Sequence, residues 1–220
     1  MRKICRFFIA SCLAVILCGC ARTPVGVTPI TVREMTVRVT FAGPINDSYY
    51  YYFPIDTTDG GTGPVPVFPG ISGDQGWVTG SADYYIQYHQ RQYTVSRIIN
   101  LQPLQFEPMG TPLRFTLPPN GGRTLDFTID LNTLNAVNAS VDTNIITIDQ
   151  PLSDTRILDA LGLRGSDFIN VGITYSRTYS NSELNIEPLN DLLDRDGVIS
   201  TATEQTAPID ISDWIISVNI

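Results

Sequence analysis

The residues able to do covalent or acid–base chemistry are sparse in this chain of 220 residues, and they are unevenly placed. All four cysteines lie within the first twenty residues, at positions 5, 12, 18 and 20. His89 is the only histidine and Lys3 the only lysine. Beyond residue 20 the chain therefore offers no thiol nucleophile and no Schiff-base lysine, and one imidazole is too few for the usual catalytic zinc sites.

His89 could serve as the base of a Ser-His-Asp arrangement, but its surroundings do not favour that role. No Gly-x-Ser-x-Gly motif presents a serine. In an extended segment Tyr84 and Tyr88 share one face, while His89 lies on the other face with Gln87 and Arg91. This pattern predicts a solvent-exposed histidine. The chain also has no Gly-x-Gly-x-x-Gly or P-loop motif, so we expect no cofactor.

The 22 aspartates and glutamates leave two roles open. One is a carbohydrate-active hydrolase, which needs a pair of carboxylates, although spacing alone does not identify the pair. The other is calcium binding. Residues 194–199 resemble the middle of an EF-hand, yet Thr203 stands where a carboxylate is required. We predict no metal site, although looser loop sites, which also fit ordinary turn chemistry, remain open at Asp56 with Asp59, or at Asp191, Asp194 and Asp196.

The first twenty residues carry a motif of their own. Basic residues at positions 2, 3 and 6 precede an apolar run over residues 7–17, which is typical of a secretory signal peptide. The run ends in Leu17-Cys18-Gly19-Cys20, which resembles the lipobox of bacterial lipoproteins. The resemblance implies cleavage before Cys20 and lipidation of that residue. The alternatives are a plain signal peptide or a transmembrane anchor, but the run is shorter than the roughly 20 residues that a span needs.

This interpretation divides the chain into three parts. Residues 1–19 are the signal peptide, residues 20–29 the acylated cysteine with a short tether, and residues 30–220 a single β-sandwich domain. Without the signal peptide, 11 arginines face 22 acidic residues, a formal charge of −11. This charge argues against nucleic acid as a partner, and membrane attachment is expected through the lipid. The lipobox resemblance implies a location in the bacterial cell envelope. In the sorting pattern of the resembled lipoproteins, Ala21 after Cys20 implies the outer membrane if the cell has one.

Alternating apolar residues predict β-strands along most of the domain. Residues 35–41 alternate strictly, residues 113–117 and 123–131 form a hairpin around an Asn-Gly-Gly turn, and residues 209–220 form a last strand. Two segments with helical spacing and capping residues are predicted as short helices, residues 153–163 and 187–195. The expected fold is all-β, an antiparallel β-sandwich with one or two short helices.

Eight of the ten tyrosines lie between positions 49 and 93, so aromatic residues are concentrated in two strands. Consecutive residues of a strand point to opposite faces, so one set of tyrosines must leave the core. We predict that Tyr50, Tyr52, Tyr85 and His89 form an exposed surface for an envelope protein or a glycan, because tyrosine combines an apolar ring with a polar tip. The alternative is cross-strand aromatic pairing that only stabilises the sheet. The expected function is a non-catalytic binding or structural component of the envelope, with the carbohydrate-active hydrolase as the alternative.

The lipobox resemblance predicts that Cys20 is the acylated residue, since the other cysteines lie in the segment removed. Cys20→Ser should abolish incorporation of radiolabelled fatty acid and leave either a soluble protein or an uncleaved precursor. Cys18→Ser is the matched control and should still be labelled. Fatty acid on the Cys20→Ser protein would contradict the prediction.

Overall fold

The computed structural model describes residues 32–58, 60–68, 76–153, 155–163, 168–184, 192–194, 197–199, 203 and 205–220. The expected signal peptide, Cys20 and the tether lie outside the described residues, as do Asp59, Asp191 and Asp196. Residues 32–220 form one compact unit. Within the described residues, no helix has the length and apolar character to cross a membrane.

The smaller of the two main sheets has five antiparallel strands with the first strand at its centre. Its order is β14-β17-β1-β9-β8. Alternation explains β1, because Met35, Val37, Val39 and Phe41 are buried while the residues between them are not. The strands are β1 (Glu34–Phe41), β8 (Arg114–Thr116), β9 (Thr124–Asp130), β14 (Arg177–Ser180) and β17 (Ile211–Asn219).

The outer face of this smaller sheet is polar. The Arg38 guanidinium lies 2.6 Å from the Asp126 carboxylate on the neighbouring strand, and the hydroxyls of Thr36 and Thr128 are 2.9 Å apart. Opposite charges and threonine pairs across strands each contribute a few tenths of a kcal/mol to about 1 kcal/mol. This face is therefore a solvated one, and the apolar face of the sheet turns inward.

The larger sheet has ten strands. Eight follow the order β16-β15-β12-β11-β2-β5-β6-β7, and β10 pairs with both β2 and β13. The strands are β2 (Tyr50–Asp56), β5 (Tyr84–His89), β6 (Gln92–Leu101), β7 (Leu104–Gly110), β10 (Ser140–Thr143), β11 (Ile146–Ile148), β12 (Leu158–Ala160), β13 (Ile169–Gly172), β15 (Leu192–Asp194) and β16 (Gly197–Ile199). A separate two-stranded sheet pairs β3 (Pro64–Pro66) with β4 (Val78–Gly80).

The main core lies between the two large sheets. Phe53 of the larger sheet meets Phe127 of the smaller one with ring centroids 5.6 Å apart, and Trp214 of β17 is 1% exposed. The apolar faces of both sheets contribute to this one cluster. The expected fold class is confirmed: the protein is an all-β antiparallel sandwich, and a short helix, α1 (Asn181–Leu184), is the only one in the described residues.

A second apolar cluster covers the opposite face of the larger sheet. It joins side chains of β2, β5 and β6 to the strands β11 and β12 and to the segment that holds Trp77 and β4. The larger sheet is thus buried on both faces around β2 and β5. The buried members of this cluster are Tyr52, Trp77, Val78, Ala82, Tyr85, Ile98, Ile146, Ile148, Leu158 and Ala160.

The helix predicted over residues 153–163 is wrong. Its apolar residues have the period of a strand, because Leu158 and Ala160 join the second cluster while Ile157 and Leu161 face the main core. Leu158–Ala160 is accordingly strand β12. Of the helix predicted over residues 187–195, the part that is described, Leu192–Asp194, is also a strand, and the rest lies outside the described residues.

The hairpin predicted around the Asn-Gly-Gly turn is confirmed, since β8 pairs with β9 in antiparallel register. A second hairpin was not predicted, because residues 84–99 read as one extended segment. Gln90 and Arg91 form a two-residue turn with φ of 49° and 60°, between β5 and β6. Neither residue is glycine, but the Gln90 N–H donates to the Asp47 carbonyl at 2.7 Å, and the Tyr88 hydroxyl donates to the Asp47 carboxylate at 2.5 Å.

Candidate functional site

The alternation predicted for the tyrosines of β2 and β5 is confirmed. Tyr51 lies in the main core between the two sheets, whereas Tyr52 lies in the second cluster on the opposite face. Tyr84 and Tyr88 likewise face the main core, and Tyr85 faces away from it. The sequence therefore predicted correctly which tyrosines share a face.

The exposure predicted for Tyr52 and Tyr85 is wrong. They are 4% and 2% exposed, because Trp77 and its neighbours cover this face. The Tyr52 ring stacks on Trp77 with centroids 3.7 Å apart and planes 6° apart, and the Tyr85 ring meets the edge of Trp77 at 5.2 Å. Burial also raises the pKa of the Tyr52 phenol well above its ordinary value. Both side chains belong to the core and neither is available to a partner.

Tyr50 and His89 remain half-buried at the end of the same face. Their rings stack with centroids 3.8 Å apart and planes 10° apart, and the Tyr50 ring is 6.0 Å from that of Tyr52. The His89 Nδ1–H donates to the Tyr49 carbonyl at 3.0 Å, since a carbonyl can only accept. We call the set His89, Tyr50, Tyr52, Trp77 and Tyr85 the aromatic row, and only its His89–Tyr50 end reaches the surface.

A shallow groove of about 490 Å³ lies beside this end of the aromatic row. The Asp149 carboxylate accepts the N–H groups of Gln150 and Ile157, each at 2.7 Å. Burial raises the pKa of this carboxyl above its ordinary value. The groove combines one aromatic ring with amide, hydroxyl and carboxylate groups, and it is lined by Ser48, Tyr50, Asp149, Gln150, Pro151, Leu152 and Ser153.

No described pocket presents the paired carboxylates of a hydrolase. The groove beside Tyr50 has Asp149, a second pocket has Asp130, and a third has Asp126, which is already paired with Arg38. Glycoside hydrolysis needs two carboxyl groups about 5 to 10 Å apart across the scissile bond. Each of these pockets, taken alone, can bind a ligand but lacks an acid–base pair.

A different surface, which the sequence did not reveal, carries a concentration of exposed apolar side chains. Among the described residues, 13 large apolar side chains are exposed, and six of these fall between positions 99 and 117. They belong to or flank β7, which ends the larger sheet, and β8, which ends the smaller one, except for Ile99, which lies in β6 beside β7. We call this set the apolar edge: Ile99, Phe106, Met109, Leu113, Phe115 and Leu117, each 40–63% exposed.

Strands β7 and β8 lie on either side of an opening into the main core. A pocket of about 170 Å³ runs from exposed Met109 and Leu113 to buried Val95 and Ile129, one from each sheet. Phe115 also packs against Tyr93 of the larger sheet with ring centroids 5.1 Å apart. Phe115 stands opposite Phe127 in register, so it shares the inward face, but β8 is the end strand of its sheet among the described residues. Alternation along the sequence predicts which face of the sheet the Phe115 side chain is on, but it does not predict whether another strand lies beside β8.

Comparison with known proteins adds no relative: no family model, no curated protein and no solved structure matches the chain.

The burial of Tyr85 predicts a large loss of stability on truncation. Tyr85→Ala should lower the free energy of unfolding by about 3–5 kcal/mol, as for other large core aromatics. Val137→Ala is the control, since Val137 is 86% exposed, and it should change the value by less than about 0.5 kcal/mol. Denaturant unfolding measures both. Equal stability of the two variants would show that the cover over Tyr85 is absent.

Proposed function

We propose that this protein is a lipid-anchored lipoprotein of the bacterial envelope, and that it binds another envelope protein without catalysis. The lipobox-like Leu17-Cys18-Gly19-Cys20 supports the anchor. The exposed apolar edge supports the binding role, because exposed apolar side chains concentrated at open strands are typical of protein interaction sites. This apolar edge is the observation on which the proposal depends.

The partner best suited to the apolar edge is an extended, apolar protein segment. Such a segment can lie along an end strand and place alternate side chains in pockets, as in β-strand addition. The pocket between Met109 and Leu113 is open to one such side chain. Pro108 removes one N–H donor from β7. Side-chain burial would therefore contribute more to this contact than a continuous ladder of hydrogen bonds.

The groove beside Tyr50 supports a second candidate function, the binding of an envelope glycan. An aromatic ring beside amide and carboxylate groups offers both stacking and hydrogen bonds to a sugar. The proposal is narrower than the one made from the sequence, because Tyr52 and Tyr85 are buried and only Tyr50 and His89 remain for such contacts. The hydrolase alternative gains no support, because the three described pockets that contain a carboxylate have only one each.

The apolar edge can be tested in cells with a photo-crosslinking amino acid at Met109. We expect a discrete adduct larger than the protein, and we expect Leu113→Glu to remove it, because a charge at the pocket opposes burial of an apolar partner. Leu113 is 49% exposed, so Leu113→Glu should change the free energy of unfolding by no more than about 1 kcal/mol.

The matched control is Val137→Glu, which adds the same charge at an exposed site outside the apolar edge and should leave the adduct intact. An adduct that survives Leu113→Glu would contradict docking at this edge. An adduct of twice the protein's mass, containing only this chain, would replace the proposed partner by a second copy.

A further inference from the structure

The end of β2 holds a buried carboxylate with an unsatisfied oxygen. Asp56 is 0% exposed. Its Oδ1 accepts the N–H of Thr58 at 2.8 Å and the hydroxyl of the same residue at 2.6 Å. Its Oδ2 is buried and has no hydrogen-bond partner. Burying an ionised oxygen without a partner is costly, so this atom calls for a ligand that brings positive charge.

A second buried carboxylate stands directly opposite Asp56. Asp142 of β10 pairs with Asp56 in register and is 6% exposed. Since Ile55 and Val141 face the main core, Asp56 and Asp142 project together from the other face of the sheet. The Asn170 amide donates to the Asp142 carboxylate at 2.6 Å. Opposed carboxylates on adjacent strands repel one another, and a cation between them would reverse that repulsion.

A third carboxylate, that of Asp83, lies near the end of β2, but one of its oxygens already binds Thr57. The Asp83 N–H donates to the Ile55 carbonyl at 2.8 Å, which places this residue beside the end of β2. Its Oδ2 accepts both the N–H and the hydroxyl of Thr57, at 2.8 and 2.6 Å. Asp83 Oδ2 thus holds Thr57, the residue that follows Asp56 where the chain leaves β2.

No described arginine forms an ion pair with Asp56. The ion pairs formed among the described residues involve other carboxylates, those of Asp126, Asp47, Glu34 and Glu183. The unsatisfied oxygen is therefore not explained by a neighbouring cationic side chain. The groups around it are oxygen donors and amides, which favour a hard cation over a thiophilic metal.

We propose that Asp56 and Asp142 bind a calcium ion, with Asp56 Oδ2 as the principal ligand. Calcium accepts irregular sets of six to eight oxygen ligands, whereas magnesium demands a near-ideal octahedron. No group of three acidic or histidine side chains converges on a metal position among the described residues. Two carboxylates, completed by other oxygens and water, would give an affinity of about 10⁻⁴–10⁻³ M, as in extracellular modules. This site does not depend on the apolar edge.

Calcium at this position would fix β2 to β10 where the chain leaves the sheet. The residues after Asp56 begin a Gly-rich segment that connects β2 to β3, and the chain then continues to Trp77 and β4. The Trp77 ring contacts the rings of Tyr52 and Tyr85 and covers them. The ion would therefore stabilise the start of the segment that buries the second cluster.

The test is thermal unfolding of the purified full-length protein in EDTA and in rising calcium chloride, with magnesium chloride in parallel. At a hundredfold excess of calcium over its dissociation constant, the melting temperature should rise by about 5–10 °C. Magnesium should give a smaller shift. A wild-type protein that shows no calcium-dependent shift overturns the proposal.

Asp56→Asn separates ligation from folding, because the Asn oxygen can still accept from Thr58 while the charge is removed. In EDTA this variant should melt at or above the wild-type temperature, and it should lose the calcium shift. Glu107→Gln, at an exposed acidic residue of β7, is the control and should keep the shift. A full calcium shift in Asp56→Asn would place the ion elsewhere and overturn the proposal.

Discussion

Burial of the larger sheet on both faces is the constraint on which the rest of this structure depends. Because side chains alternate along β2, Tyr51 enters the core between the sheets and Tyr52 enters a second core on the other side. The stack of Tyr52 on Trp77 joins that sheet to the segment that covers it. Tyrosine suits this position because its ring packs in an apolar core while its hydroxyl can still find a partner.

Because both faces of the larger sheet are buried around β2 and β5, only the margins of the sheet are accessible to a partner. At one margin the stacked rings of Tyr50 and His89, the end of the aromatic row, reach the surface. Where both sheets end, β7 and β8 leave the main core open between them. The outer face of the smaller sheet, by contrast, is polar at Arg38 and Asp126. The surfaces proposed for binding are thus the places where burial is incomplete.

The sequence predicted what depends on local periodicity and missed what depends on distant contacts. The alternation in β1 and β17 was readable, because each of these strands has one buried face, and the pairing of β8 with β9 was readable from the turn between them. The cover over Tyr85 was not readable, since it comes from Trp77 and from strands β11 and β12. The same limit explains the misread helix, in which Ile157 and Leu158 face different cores.

The turn at Gln90 and Arg91 was missed for a local reason. Positive φ values usually require glycine or asparagine, and neither residue type is present there. Contacts of Asp47 with Gln90 and Tyr88 supply the stabilisation that the turn sequence lacks.

The exposure of the apolar edge was missed for a different reason. Phe115 has the pattern of a core residue, but within the described part of the chain β8 is the end strand of its sheet, and Phe115 stays 43% exposed.

Chemical labelling of a single cysteine tests the central claim, that the apolar edge is covered by a partner in the envelope. Thr111→Cys places a thiol beside the pocket at an exposed position, and Val137→Cys serves as the reference. In intact envelopes a maleimide should label Thr111→Cys far more slowly than Val137→Cys. After purification in detergent the two should react at similar rates. Equal labelling of both thiols in intact envelopes would contradict the account.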